Sequence, residues 1–354
     1  MAYHGVIEDI RTCINGGLPR RLPVMPMSQP FDARMAGMSY EEFATDARKV
    51  FRCHREVIRR FDYDWSNLHI DAGIEPEVFG VAIGPKKNGK GEWPWVPIGH
   101  LPATERTLAG LSIPDPQRDG RMPVLLEAIN SVRAEFGDTV CVMGRLTGPF
   151  TLMTYLYGAE EGLVLLYANP TLVRQTMEFL LQAQTELAMA QLEAGAHAIL
   201  ICDLNCSSRL VSARHYGEFV FDVNTRLVSS IHEKQGMVFH HPNDPSPERL
   251  LYMAGIGSDV ITVGDGADIV AVSAEMGDRI CLMGNVDPIP FFGEGTPQLM
   301  ETEVQRIIDG VSAKGGHILS SGAAIPVESK SENMTSFVQT ARSHWDQVLV
   351  AAGD

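Results

Sequence analysis

A (β/α)8 barrel is the fold class this sequence predicts, on three observations. Eight short apolar runs recur along the chain, helical patterns fill the gaps between them, and 354 residues suit one large barrel. The runs are Leu22–Met27, Asn67–Asp71, Val140–Arg145, Ala198–Asp203, Met237–His241, Asp259–Gly264, Arg279–Gly284 and His317–Ser321. Most are rich in Val, Ile and Leu with little polar alternation, as strands of a parallel sheet are when both faces are covered. The clearest helix runs from Pro170 to about Glu193, with Asn169 at the N-cap, Pro170 at the first helical position and Gly195 at the stop. Others run from Ala213 to about His232, from Pro297 to Val311 and from Ser331 to about Ala351. A doubly wound sheet is the competing arrangement, but the chain has neither G-x-G-x-x-G nor a P-loop.

No linker or repeat divides the chain, so residues 1–354 read as a single domain. Residues 1–20 form an N-terminal extension. Residues 80–121, rich in Gly, Pro and Lys and including KKNGKGEWPWVP at 86–97, form a loop or hairpin insertion near the barrel mouth.

The formal net charge is −15, from 44 acidic and 29 basic residues. Such a surface repels phosphate backbones, which argues against nucleic-acid binding. No basic cluster suggests a membrane surface, and no stretch approaches the ~18–20 apolar residues of a membrane span. Glu8, Asp9 and Arg11 occupy the place of an apolar leader, so no secretory signal is read there. Six scattered cysteines read as reduced thiols, and the expected location is the cytoplasm.

Barrels do their chemistry at the C-terminal ends of their strands. Here those ends carry Asp71, Arg145, Asp203 with Cys206, His240 and His241, Asp265, Asn285 with Asp287, and Ser320 with Ser321. Some have plain readings as well: Asp203 could cap a loop, Cys206 could be a small buried hydrophobe, and Asp287 could belong to a turn. His240 and His241 are adjacent, so on a strand at most one of them faces the barrel axis.

Local motifs add a family resemblance over nearly the whole chain. GRLTGPFTLMTYLYG at 144–158, EAGAHAILICD at 193–203, MGNVDP at 283–288, SGAAIP…ESKSEN at 321–333 and HIDAGIEPEVFG at 69–80 resemble the uroporphyrinogen decarboxylase superfamily. The resemblance implies a (β/α)8 barrel. Of its branches, the decarboxylases hold substrate carboxylates with an arginine-rich N-terminal motif, for which this chain has PMSQPFDARMAG at 26–37 region instead. Asp71 and Tyr155 match the decarboxylase aspartate and tyrosine, while Ala323 replaces the histidine. The corrinoid-linked methyltransferases bind zinc through H-x-C and a later cysteine. His240 matches the histidine, and Pro242 and Ala323 stand where the cysteines would be.

The resemblance therefore implies a demethylase-type methyltransferase that moves a methyl group between a small methylated substrate and the corrinoid of a partner protein. The candidate catalytic residues are His240, Asp203, Tyr155 and Asp71. Arg145, His241, Asn285, Asp287 and Ser321 are expected at the substrate. Zinc, if held, would draw on His240, Cys206, Asp265 and Glu218. The alternatives are a metal-independent decarboxylase or lyase of a small carboxylic acid, and a non-catalytic small-molecule-binding relative. Barrel enzymes often form homodimers, and a homodimer is an expectation with no residue assigned to its interface.

Overall fold

The computed structural model describes residues 3–87, 92–276 and 279–353. Its centre is a curled sheet of seven parallel strands in sequential order: β1 (Trp65–Asn67), β4 (Cys141–Thr147), β5 (Ala198–Cys202), β6 (Met237–His241), β7 (Val260–Thr262), β8 (Cys281–Val286) and β9 (His317–Ser321). A separate antiparallel hairpin joins β2 (Ile83–Lys87) to β3 (Glu92–Pro97). That hairpin lies in the expected 80–121 insertion, whose residues 88–91 lie outside the described ones. No helix among the described residues is long and apolar enough to cross a membrane.

Seven of the eight predicted runs contribute to the sheet, and the first is corrected. Leu22–Met27 makes one parallel bridge, Val24 to Leu319, instead of a strand. Pro23 and Pro26 remove two backbone donors from a six-residue run, which limits the ladder. What remains still joins the two ends of the sheet. Leu319 N–H donates to Pro23 O at 3.0 Å and Met25 N–H to Leu319 O at 2.9 Å, while Asp64 N–H donates to Val24 O at 3.1 Å. The second run is shifted toward the N-terminus, because pairing with β4 stops at Asn67.

The helices follow their sequence signals. Asn169 accepts from Leu172 N–H at 3.1 Å and opens Pro170–Glu193. Thr296 caps Pro297–Gly310, and the last helix is Ser331–Gly353. The predicted 213–232 helix is interrupted: a π-helical turn at Tyr216–Val220 precedes Phe221–Glu233. The N-terminal segment contributes to the core. Its helix Val6–Ile14 buries Val6, Ile10 and Cys13, and Trp345 donates to Pro19 O at 3.1 Å.

Register decides which side chains face the interior of the curl. Residues paired across parallel strands share a face. One row runs Arg145–Leu200–Phe239–Val260–Cys281, and beside it run Thr147–Cys202–His241 and Thr262–Met283–Ile318. The opposite face meets the helices. A Cβ at Gly144 would lie 2.6 Å from Gln191 Oε1 of the Pro170–Glu193 helix, and Val142 packs with Leu125, Ile129 and Val132 of the Met122–Phe136 helix. The first row and its companions therefore face the lumen.

Asp64 clamps the segment that replaces the first strand. Its buried carboxylate accepts from Val24 N–H at 2.7 Å, from Arg21 at 2.9 Å and from Arg342 at 2.7 Å. Removing it leaves the Val24 amide without its acceptor and takes from Arg21 and Arg342 their buried one, leaving them Asp62. Asp64→Ala is expected to lower unfolding free energy by about 3 kcal/mol, read as a shift of the urea midpoint. An unchanged midpoint would show that the bridge stands without the clamp.

Candidate active site

The lumen's C-terminal end is polar. Arg145 and Thr147 come from β4, Cys202 from β5, His241 from β6 and Thr262 from β7, all on the inner face. His69 and Asp71 follow β1, and Tyr155 stands on the Pro149–Tyr157 helix that follows β4. Arg145 lies within electrostatic reach of His69, Tyr155, Cys202, His241 and Glu75. These groups form one cluster.

Burial sets their protonation. It pushes His241 down to about 3, with Arg145 adding to the effect, and Nδ1 of that ring lies 2.6 Å from Thr262 Oγ1. His69 is held well below its ordinary value by burial, then by Arg145 and Arg121. Burial raises Tyr155 to about 12 and Cys202 to about 11, against an opposing pull from Arg145. Near neutral pH the cluster thus holds neutral imidazoles, a protonated phenol, a protonated thiol and one guanidinium.

The carboxylates around it are engaged elsewhere. Asp71 is fully buried; its two oxygens take Arg121 Nη1 at 2.5 Å and Nη2 at 3.0 Å, Tyr40 Oη at 2.5 Å and Gly73 N–H at 2.8 Å. Arg121 also pairs with Glu77 at 2.9 Å and lies 4.8 Å from the Trp95 ring, which ties the insertion to the barrel mouth. Asp203 accepts from Thr151 Oγ1 and Asn224 Nδ2, each at 2.8 Å, on the helix side of the sheet. Glu75 accepts from Thr147 N–H at 2.6 Å, from the Thr147 hydroxyl and from Gln184 at 3.0 Å, and burial raises it above the ordinary carboxyl range.

Several expected roles are corrected by this geometry. His240 points to the helices, not to the lumen: it pairs with Ile201 and Ile261, one residue out of phase with His241. It is fully buried and neutral, pushed to about 4 by burial, and neither ring nitrogen has a hydrogen-bond partner. Asp203 holds the first turn of the helix after β4 through Thr151, not the loop that follows it. Ser321 accepts from Met27 N–H at 3.1 Å and pins the bridge segment. Asn285 holds the loop after β7 through Gly264 O at 3.0 Å and Ala267 O at 2.8 Å. Asp287 accepts from Ile289 N–H at 3.1 Å and starts the next turn. Of the substrate set, Arg145 and His241 enter the lumen cluster.

The proposed zinc ligands are not gathered. Cys206 is fully buried with its thiol directed to Asp203 O at 2.9 Å, and Glu218 is paired with Arg174 at 2.5 Å on the surface. Asp265 sits beside Gly322 after β7, away from both. Among the described residues no three His, Cys, Asp or Glu side chains form a metal-binding group. His240, Cys206, Asp265 and Glu218 therefore do not fit zinc as a set. His69 and Glu75 were missed by the sequence reading, although both lie in the HIDAGIEP stretch that marked Asp71. The available signal was His69 at the same strand end, two residues before Asp71.

Comparison with known proteins bears on the family and the fold. The family model described as uroporphyrinogen decarboxylase (URO-D) matches residues 7–344. The chain is 26% identical to the uroporphyrinogen decarboxylase of Psychromonas ingrahamii over 293 residues, covering 80% of this chain and 79% of that one. It is 27% identical to that of Chromohalobacter salexigens over 323 residues, covering 85% of each. In structure it is similar to a methyltransferase from Methanosarcina mazei, with TM-score 0.85 and 21% identity, covering 96% of this chain and 99% of that one.

The neutral histidines carry a pH dependence. His54, His240 and His317 are pushed by burial to about 4 and His241 to about 3, against an ordinary value of 6.5. Unfolding lets each bind a proton below 6.5, so their contribution is whole above that value and lost as pH falls toward 3–4. Each can account for at most about 1.4 kcal/mol per pH unit. The urea midpoint is expected to drop more between pH 7 and pH 5 in the wild type than in His241→Asn. Equal drops would mean that His241 titrates alike in both states.

Proposed function

The chain belongs to the uroporphyrinogen decarboxylase (URO-D) family, and from that premise we propose that it is a methyltransferase moving a methyl group from a small methylated substrate to the corrinoid of a partner protein. One observation carries the reading. Asp71 and Glu75, the carboxylates of the lumen cluster, are committed to protein partners, whereas the Tyr155 hydroxyl makes no hydrogen bond among the described residues. The site lacks a free carboxylate to balance a cationic intermediate and keeps a free acid for a departing anion. That favours transfer of a methyl group over decarboxylation through Asp71.

In the transfer, the bond between methyl carbon and substrate oxygen breaks, and the electron pair stays on the oxygen. A cobalt(I) corrinoid on a partner protein would be the co-substrate supplying the electron pair for the new bond to the methyl carbon. Tyr155, raised to about 12, gives its proton to a leaving alkoxide more basic than itself. His241, fixed through Nδ1 at Thr262, presents its other ring nitrogen beside Arg145 and positions the substrate. No step is assigned to zinc, His240 or Cys206.

Free cob(I)alamin serves as the test acceptor, with methyl ethers, thioethers and methylamines as donors. Formation of methylcobalamin absorbance that depends on the protein is the expected result. Tyr155→Phe should lower kcat by about a hundredfold with little change in KM. Release of CO2 from small acids with no methylcobalamin would replace this reading with the decarboxylase one.

A further inference from the structure

Among the described residues, Arg145 stands in the lumen cluster without a carboxylate ion-pair partner. Arg121 is paired twice, with Asp71 and Glu77, while no ion pair among the described residues involves Arg145. Its backbone is fixed on both sides: N–H donates to Gln191 Oε1 at 2.8 Å, and its carbonyl accepts from Gln191 Nε2 at 3.1 Å. The side chain is thus directed inward by a strand that cannot turn it out. A guanidinium keeps its charge when half-buried, and its planar fork suits a carboxylate bidentately. A second group waits beside it. Asn67 on β1 pairs with Met143, two residues before Arg145 and on the same face, is 4% exposed, and has no partner at either side-chain amide atom. A buried amide in that state costs stability until a ligand supplies hydrogen bonds.

Resting on the methyl-transfer reading, we infer that the methylated substrate is a carboxylic acid whose carboxylate is seated on Arg145, with the Asn67 amide as its second contact. The guanidinium reaches the neutral Cys202 thiol but has no anionic ion-pair partner among the described residues before any bond breaks, so the negative charge belongs to the bound substrate from the start. A charge that appears only on the leaving oxygen would not answer it. The nearby carboxylates cannot take this role, because each already has its own donors. Tyr155, within electrostatic reach of Arg145, would give the leaving oxygen its proton.

Binding is measured calorimetrically with four probes: 4-methoxybenzoate and methoxyacetate as carboxylates, methoxybenzene and 2-methoxyethanol as their neutral counterparts. At least one carboxylate should bind, about tenfold or more tighter than its neutral counterpart. Arg145→Gln should erase that preference, Arg145→Lys should keep part of it, and Asn67→Leu should weaken it less than Arg145→Gln. Melting temperatures of the variants, with Arg145→Lys as the folded reference, separate lost binding from lost structure. Equal affinity of the two classes, no binding by either carboxylate, or full binding by a folded Arg145→Gln overturns the inference. Methyl transfer from neutral ethers that is unchanged in Arg145→Gln overturns it while leaving the methyltransferase reading intact. Arg145-dependent carboxylate binding with no methylcobalamin from any donor would do the reverse.

Discussion

The structure depends on one constraint: each parallel strand is covered on both faces, and its side chains alternate between them. An apolar strand serves either face, but a polar residue near its end has two different fates. On the inner face it joins Arg145, Cys202, His241 and Thr262. On the outer face it is walled in by helices, as His240 is. Residue type alone does not separate them, since two adjacent histidines carry the same chemistry and receive opposite surroundings.

The same burial that makes the sheet stable sets the electrostatics at its end. Charged groups there persist only where another group answers them. Asp71 has Arg121 and Tyr40, Asp203 has Thr151 and Asn224, and Glu75 has Thr147 and Gln184. The imidazoles give up their charge instead. Arginine cannot do so at any ordinary pH. Arg145 therefore keeps its charge in the cluster without an ion-pair partner among the described residues, inside a chain whose formal charge is −15.

Much of the architecture was legible. The apolar runs located the seven strands, and Asn169 and Pro170 located the start of the longest helix, because those signals are local. Leu22–Met27 misled because its composition is strand-like while its two prolines deny it a ladder. The π-helical turn at Tyr216–Val220 gave no signal in an apolar pattern that reads continuously. At the site, strand-end position pointed alike to Arg145 and His241, which lie on the inner face, and to His240, which does not. It could not reveal that Asn285 and Ser321 spend their polar atoms on loops, since those partners lie far away in sequence. Nor could spacing show that Cys206 and Glu218 lie in unrelated surroundings, one in the core and one on the surface.

The segment that most clearly resembles the family, residues 144–158, is chiefly a packing device. Gly144 admits Gln191 of the covering helix, Gly148 leaves room for Asp203, whose Cγ would lie 2.5 Å from an added Cβ, and Phe150 is fully buried. In its polar complement Arg145 lies on the inner face with its side chain reaching the Cys202 thiol, and Tyr155 makes no side-chain hydrogen bond among the described residues. A likeness in such a segment therefore certifies a scaffold. The choice of chemistry rests on the few positions that the scaffold does not need, so relatives can share the segment and still part ways in what they transform.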